Sequence, residues 1–251
     1  MDFYLKESSL IVDICLLAGK IMLQNGAETY RVEDTMVRIA SAFGIEQSHS
    51  FVTPTAIIFS IEGYERTKLI RITERFTNLE KVSRVNQISR EISGGSLSLT
   101  EAYSKLQEVE KSPDTYSLFL QIAAAAIVSG CFVIMFKGVW TDFIPAVIAG
   151  GLGFSAFVYI HRLVQIRFFV EFFASFLIGL IATLFVDFGL GQELDKIIIG
   201  SVMPLVPGVL ITHAVRDLLA GHLIAGLSKG AEAFLTAFAI GTGVAVVFYL
   251  F

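Results

Sequence analysis

Along the first hundred or so residues, the apolar positions keep the spacing of elements that bury one face. Leu10, Ile14, Leu17 and Ile21 recur at helical intervals, with Asp13, Lys20 and Gln24 elsewhere on the wheel, and Asn25-Gly26 closes the helix they predict. Asn25 with Glu28 three residues on resembles a capping box and opens a second helix. Its stripe is Val32, Met36, Ile39, Ala40 and Phe43; Arg31, Asp34 and Arg38 take the opposite face, and Gly44 ends it. The period then shortens. Residues 51–61 (FVTPTAIIFSI) and 67–72 (TKLIRI) are rich in β-branched and aromatic types, and the turn-like Glu62-Gly63-Tyr64-Glu65 separates them. These predict a small antiparallel sheet with the two helices packed on it. A third helix runs from Asn78 to about Ile92, and a fourth opens at the capping box Ser98-Leu99-Thr100-Glu101 after Gly94-Gly95. Pro113 marks the end of this α+β region.

Beyond it the polar face disappears. Apolar stretches at 117–136, 139–160, 168–188, 197–214 and 233–251 each approach the ~20 residues that cross a hydrocarbon core as a helix. Charge follows the same division: residues 1–117 carry 13 of 19 Lys and Arg and 16 of 23 Asp and Glu. At 17% charged, the chain falls below the roughly 25% of a soluble domain, so its apolar surface calls for lipid. The expectation is a membrane protein: a small α+β cytosolic domain over 1–115, then a helical transmembrane bundle of about five spans over 116–251. Arg162 and Arg167, and Arg216 and Lys229, fall in loops on one side. The alternate loops hold Lys137 with Asp142, and Asp187, Glu193 and Asp195 with Lys196. That bias places the N-terminus in the cytosol of the cytoplasmic membrane and the C-terminus outside. The start of the chain, interrupted by Lys6, Glu7, Asp13 and Lys20, does not read as a cleavable signal peptide. A net charge of −4 with no basic stripe argues against nucleic acid.

Chemistry-bearing motifs are few. There is no Walker loop, G-x-S-x-G or H-E-x-x-H, so no catalytic residue, metal or cofactor is expected. His49 between Ser48 and Ser50 does not make a dyad, since adjacent strand residues point to opposite faces. Cys15 and Cys131 lie far apart in apolar surroundings and read as buried thiols. Ala146, Gly150 and Gly153, and Gly241 with Ala245, are small residues that let helices pack closely, within the bundle or against a partner. The fourth apolar stretch is the most informative. Pro204, Pro207 and Gly208 interrupt it, and two prolines at that spacing should break the helix. Broken helices at membrane depth build transporter substrate sites, with a simple kink as the alternative. Thr212, His213, Arg216 and Asp217 stand close by. The glycine-interrupted segment 217–230 reads as interfacial or re-entrant. Glu171 and His213 are candidates for proton coupling, with Asp217.

The run NGAETYRVEDTMVRIASAFG (25–44), then FVTPTAIIFSI and NLEKVSRVNQISREI, resembles the N-terminal domain of the threonine/serine exporter family. The run PLVPGVLITHAVRDLLAGHLIAGLSKGAEAFLTAFAIGTGVAV resembles the end of that family's membrane region. The resemblance covers nearly the whole chain. It implies the large subunit of a two-component, succinate-exporter-like system, working as a hetero-oligomer with a small transmembrane partner. It further implies proton-driven export of a small carboxylate-bearing metabolite, threonine or serine or succinate. Such a substrate needs helix N-termini, free N–H groups or a cation, which points to Pro204, Pro207, Gly208, Thr212 and Arg216 as substrate-binding. Because few cations lie at membrane depth, an amino acid suits the site slightly better than a dianion unless the partner adds charge. Glu28, Arg31, Glu33 and Asp34 would then belong to a cytosolic gate, or else to a solvated helix face. Two other readings stay open: a membrane-anchored hydrolase, which Glu28, Asp34 and His49 would have to build together, and a metabolite sensor, which leaves the broken span without a purpose.

Overall fold

The computed structural model describes residues 2–63, 67–113, 116–164, 166 and 168–251, the first helix by backbone alone up to residue 7. The chain forms two compact units: residues 1–115 with 212–230, and residues 116–211 with 231–251.

The first unit is built around α1 (Asp2–Gln24). Val12, Ile14, Cys15, Ala18, Ile21 and Met22 are all buried, so this helix is covered over a wider arc than its sequence stripe suggests. Against it lie α2 (Thr29–Ala42) and a three-stranded antiparallel sheet of β1 (Ser48–Thr53), β2 (Ala56–Ile61) and β3 (Lys68–Arg71), with β2 central. Two further helices, α3 (Leu79–Ser93) and α4 (Leu99–Lys111), complete the packing. The core joins α1 to Val32, Met36 and Ile39 of α2, Ile57 and Phe59 of β2, Val85 of α3 and Leu106 of α4. Ion pairs Lys20–Glu110 at 2.7 Å and Lys68–Asp13 at 2.6 Å fasten its edges. The cap at Ser98 is a full capping box with Glu101, as the sequence predicts.

Two local expectations fail here. Residues 51–61 are not one strand: a turn at Pro54-Thr55 folds them into a hairpin, with Thr53 pairing Ala56 and the Thr53 hydroxyl accepting from the Ala56 N–H. Proline cannot continue a ladder but suits a turn. Asn25 and Glu28 do not form a capping box: the Asn25 amide donates back to the Ile21 carbonyl, and Glu28, the residue capping α2, makes no side-chain cap. Of the turn Glu62–Glu65, Tyr64 and Glu65 lie outside the described residues, as does Arg167. His49 lies on the exposed side of β1, opposite in direction to its serine neighbours.

The second unit is a helical bundle of α5 (Leu118–Met135), α6 (Phe143–Leu163) entered through a 3-10 turn at Trp140–Asp142, α7 (Phe169–Asp187) and α8 (Leu194–Val202), which runs into a 3-10 turn at Met203–Leu205. The chain continues as α9 (Gly208–Leu219) and α10 (Leu223–Leu250). Among the described residues, four helices are long and apolar enough to cross a membrane: residues 118–135, 140–163, 169–187 and 223–250. A bent pair, Leu194–Leu205 and Gly208–Leu219, broken by 62° where the prolines stand, meets the same test when taken as one span. Ala146, Ala174, Ile178, Ile197 and Ile240 fill the bundle core. Asp142 is fully buried, and its two oxygens accept the backbone N–H groups of Gln192 (2.7 Å) and Glu193 (3.1 Å), clamping the turn before α8.

Two expectations are corrected in this bundle. Cys131 is exposed on α5, not buried; only Cys15 is. Gly150 and Gly153 do pack tightly, against Ser129 and Ile178, but Gly241 and Ala245 sit on the open side of α10, and the packed small residue is Gly243. Segment 217–230 is helical on both sides of its glycines. It is the end of α9, a tight turn and the first two turns of α10. Gly226, which interrupts the apolar pattern, is a close-packing residue rather than a break: a Cβ there would lie 2.9 Å from the Leu218 backbone nitrogen.

Candidate functional site

The charged residues of the first unit converge where the start of α2 meets the α9–α10 turn. Gly221, at φ +87°, takes the left-handed position that ends α9. The His222 N–H bonds the Asp217 carbonyl (2.8 Å) and the Gly221 N–H the Leu218 carbonyl (3.1 Å), the double bond of a Schellman cap. With Gly226 against Leu218, this turn brings Lys229 to Asp217, twelve residues earlier.

Asp217 is completely buried. Its Oδ1 accepts the Thr29 backbone N–H at 3.0 Å, and its Oδ2 accepts the Thr29 hydroxyl at 2.8 Å and the Lys229 ammonium at 2.7 Å. Lys229 also donates to the Thr29 hydroxyl at 3.1 Å. A carboxylate 188 residues away thus caps α2 and gains the positive end of its dipole. That explains why neither Asn25 nor Glu28 needs to do so.

Beside this triad, the Glu28 side chain is only 5% exposed. Arg216 Nη1 donates to its Oε1 at 2.6 Å and Arg31 Nη1 to its Oε2 at 3.2 Å, while His213 Nε2 stands 3.9 Å from Oε1. Burial works to raise the Glu28 pKa. Its backbone hydrogen bond, Arg216, Arg31 and His213 outweigh that and hold it below the ordinary carboxyl value. Glu33, one turn on, accepts the Val52 N–H at 2.8 Å and lies 3.8 Å from His222 Nδ1. Burial, with a smaller push from Asp217, raises its pKa against the pull of Val52 and His222.

Three carboxylates (Glu28, Glu33, Asp217), three fixed cations (Arg31, Arg216, Lys229) and two histidines (His213, His222) therefore share one region, charge-balanced while the histidines are neutral. Such a cluster can exchange partners with a charged solute or take up protons with little change in packing.

The opposite signs at Glu28 and Glu33 give a pH prediction. Glu28 is held low, so its stabilisation is present above about pH 4.3 and is lost as pH falls through its folded-state value. Glu33 is held high, so its ionisation removes stability as pH rises through the window above the ordinary value. Thermal unfolding against pH should show Glu28→Gln losing stability at pH 7, by about 1.5–3 kcal/mol for its charge-assisted bonds. Glu33→Gln should be neutral or stabilising there. Equal losses in both variants would contradict these directions.

The predicted site residues divide. Glu28, Arg31, Glu33, His213, Arg216 and Asp217 come together. Asp34 instead pairs with Arg38 on the outer face of α2, and Thr212 lies on the exposed side of α9. Pro204, Pro207 and Gly208 stand at the break in the second unit, and Glu171 is half-buried in the first turn of α7 in that unit. No hydrogen bond or ion pair joins Glu28, Asp34 and His49 among the described residues, and no group of three His, Cys, Asp or Glu there could hold a metal. Sequence reasoning missed Thr29, His222 and Lys229. Lys229 was counted only as a loop charge, and no local spacing links it to Thr29.

The apolar helices, the proline-broken helical run and the charge-balanced cluster are features of a membrane transporter. The chain belongs to the ThrE threonine/serine exporter family, which it matches over residues 13–251. It is 25% identical to the "Probable succinate transporter subunit YjjP" of Klebsiella aerogenes, over 95% of this chain and 93% of that protein. With the "Threonine/serine exporter" of Corynebacterium glutamicum it shares 23% identity, over 93% of this chain and 50% of that protein. With the "Probable threonine/serine exporter" of Mycobacterium tuberculosis the figures are 22%, 90% and 44%. The chain thus spans about half the length of these two exporters and nearly all of the transporter subunit. No solved structure matches it significantly.

Proposed function

We propose that this chain is a subunit of an exporter in the bacterial cytoplasmic membrane, moving a small carboxylate-bearing metabolite outward with a transmembrane partner. The observation that carries this reading is the partly buried cluster around Glu28 and Asp217, which brings six charged groups and two histidines together and leaves Arg31 and Arg216 reachable from solvent. The family and the near full-length match to a protein named a transporter subunit support it. So do the large outward-facing apolar side chains of the bundle, Phe119, Ile127, Leu152 and Phe234 among them, which need lipid or protein around them. We assign the first unit to the cytosol: it holds most of the charge and takes in segment 212–230, in keeping with the basic bias of that side. His213 and His222, each near a carboxylate, are the groups that couple export to protons, with Asp217 as the fixed anchor between them. The helical run that bends by 62° at Pro204, Pro207 and Gly208 is the second place at which we expect contact with the substrate.

The test is efflux from cells that lack native exporters, loaded separately with threonine, serine and succinate. The chain is expressed alone and with its candidate small partner. Export on co-expression alone is the expected result, and a proton uncoupler should abolish it. Absence of all three activities, with membrane insertion confirmed, would overturn the reading.

A further inference from the structure

We infer that Arg31 and Arg216 form a two-guanidinium clamp for the carboxylate of the transported solute, with Glu28 as the fixed counter-charge behind them. The inference rests on the exporter reading above and names where its substrate is first held. Each arginine spends one N–H on Glu28, at 3.2 Å and 2.6 Å, and each binds a different oxygen of that one carboxylate. Their side chains are 41% and 57% exposed, whereas Glu28 is 5% exposed. Among the described residues, neither guanidinium has another hydrogen-bond or ion-pair partner. A guanidinium carries five N–H donors in a planar fork that fits a carboxylate edge. Two such forks pinned by one buried anion thus carry a local charge of +1 and most of their donors unspent at the surface.

One incoming carboxylate neutralises this arrangement, and the rest of the cluster explains why it stays in place. Asp217 and Lys229 compensate each other in the buried triad, so they do not compete for the arginines. His213 faces Glu28 from α9, and Glu33 is occupied by Val52 and His222. The two arginines come from different helices, α2 and α9, separated by most of the sequence. Binding therefore reports on their junction as well as on charge. A zwitterion neutralises the clamp with its carboxylate but leaves its own ammonium charge over; a dicarboxylate leaves one negative charge over, which protonation of His213 offsets.

The experiment uses the full chain in lipid nanodiscs, titrated by calorimetry with succinate and L-threonine and with their carboxylate-blocked counterparts, succinamide and L-threoninamide. At least one carboxylate probe should bind, and its blocked counterpart should not. Arg31→Gln and Arg216→Gln should each weaken binding by about 10- to 100-fold, the loss of a charge-assisted pair. Arg31→Lys should fall between wild type and Arg31→Gln, because it keeps charge but loses the fork. Arg31 is half-exposed, so Arg31→Gln should unfold within a few degrees of wild type and its binding loss stays interpretable. Wild-type affinity in Arg31→Gln would overturn the clamp while leaving the exporter reading intact, provided efflux by the wild-type chain persists. A wild-type chain that binds neither probe overturns the clamp, and absence of efflux as well overturns both.

Discussion

Lys229→Met is expected to lower stability by about 3–5 kcal/mol, the usual loss when one member of a buried ion pair is removed. The Lys229 side chain is 5% exposed and Asp217 is not exposed at all, so the carboxylate left behind has no water to turn to. Part of its charge would still be met by the Thr29 N–H and hydroxyl. The double variant Lys229→Met/Asp217→Asn should recover much of the loss, because an asparagine oxygen can still cap α2 while carrying no charge. Lys229→Met/Asp217→Leu should recover less, since it leaves the Thr29 donors without a partner. Thermal unfolding in detergent or nanodiscs, ranked across the three variants, checks the argument. Equal stability of Lys229→Met and wild type would mean that water reaches the pair.

The pattern of α2, α3 and α4 was legible because each buries one stripe, and α3 and α4 carry their own caps at Asn78 and Ser98. The broken fourth crossing was legible for a similar reason: proline acts on its own backbone whatever surrounds it. The polar cluster was legible only in its members. Arg216 and Asp217 stand out as charges beside an apolar run, but the contacts that tie them to Glu28 and Thr29 span 188 residues and obey no period. The same distance hid the true cap of α2, where a local rule proposed Asn25 and a remote aspartate supplied the contact. The hairpin at Pro54 was blurred because strong β formers flank the turn on both sides. Gly226 and Gly241 show the limit of reading small residues: a glycine that permits close approach and one that faces outward look alike until the packing is known.

That difference gives the second large effect, within one turn of α10. Gly243→Val should disrupt the bundle, whereas Gly241→Ala should be neutral or stabilising. A side chain at Gly243 would run into the Phe172 carbonyl and the Ser175 hydroxyl of α7 and sit 3.1 Å from the Phe176 nitrogen. Two of these obstacles are backbone and cannot rotate away, so α7 and α10 must part. Overpacking of this kind typically costs about 1–3 kcal/mol, and a β-branched residue against fixed backbone belongs at the top of that range or above. At Gly241 nothing lies within 4 Å of the added methyl, and alanine gains up to about 1 kcal/mol of helix propensity over glycine. Parallel thermal unfolding of the two variants checks the sign at each site. The larger substitution Gly241→Leu separates packing within the chain from packing against a partner. If it stays as stable as wild type when purified alone but loses efflux on co-expression, another helix covers that face. If stability and efflux both survive, the partner binds elsewhere on the bundle.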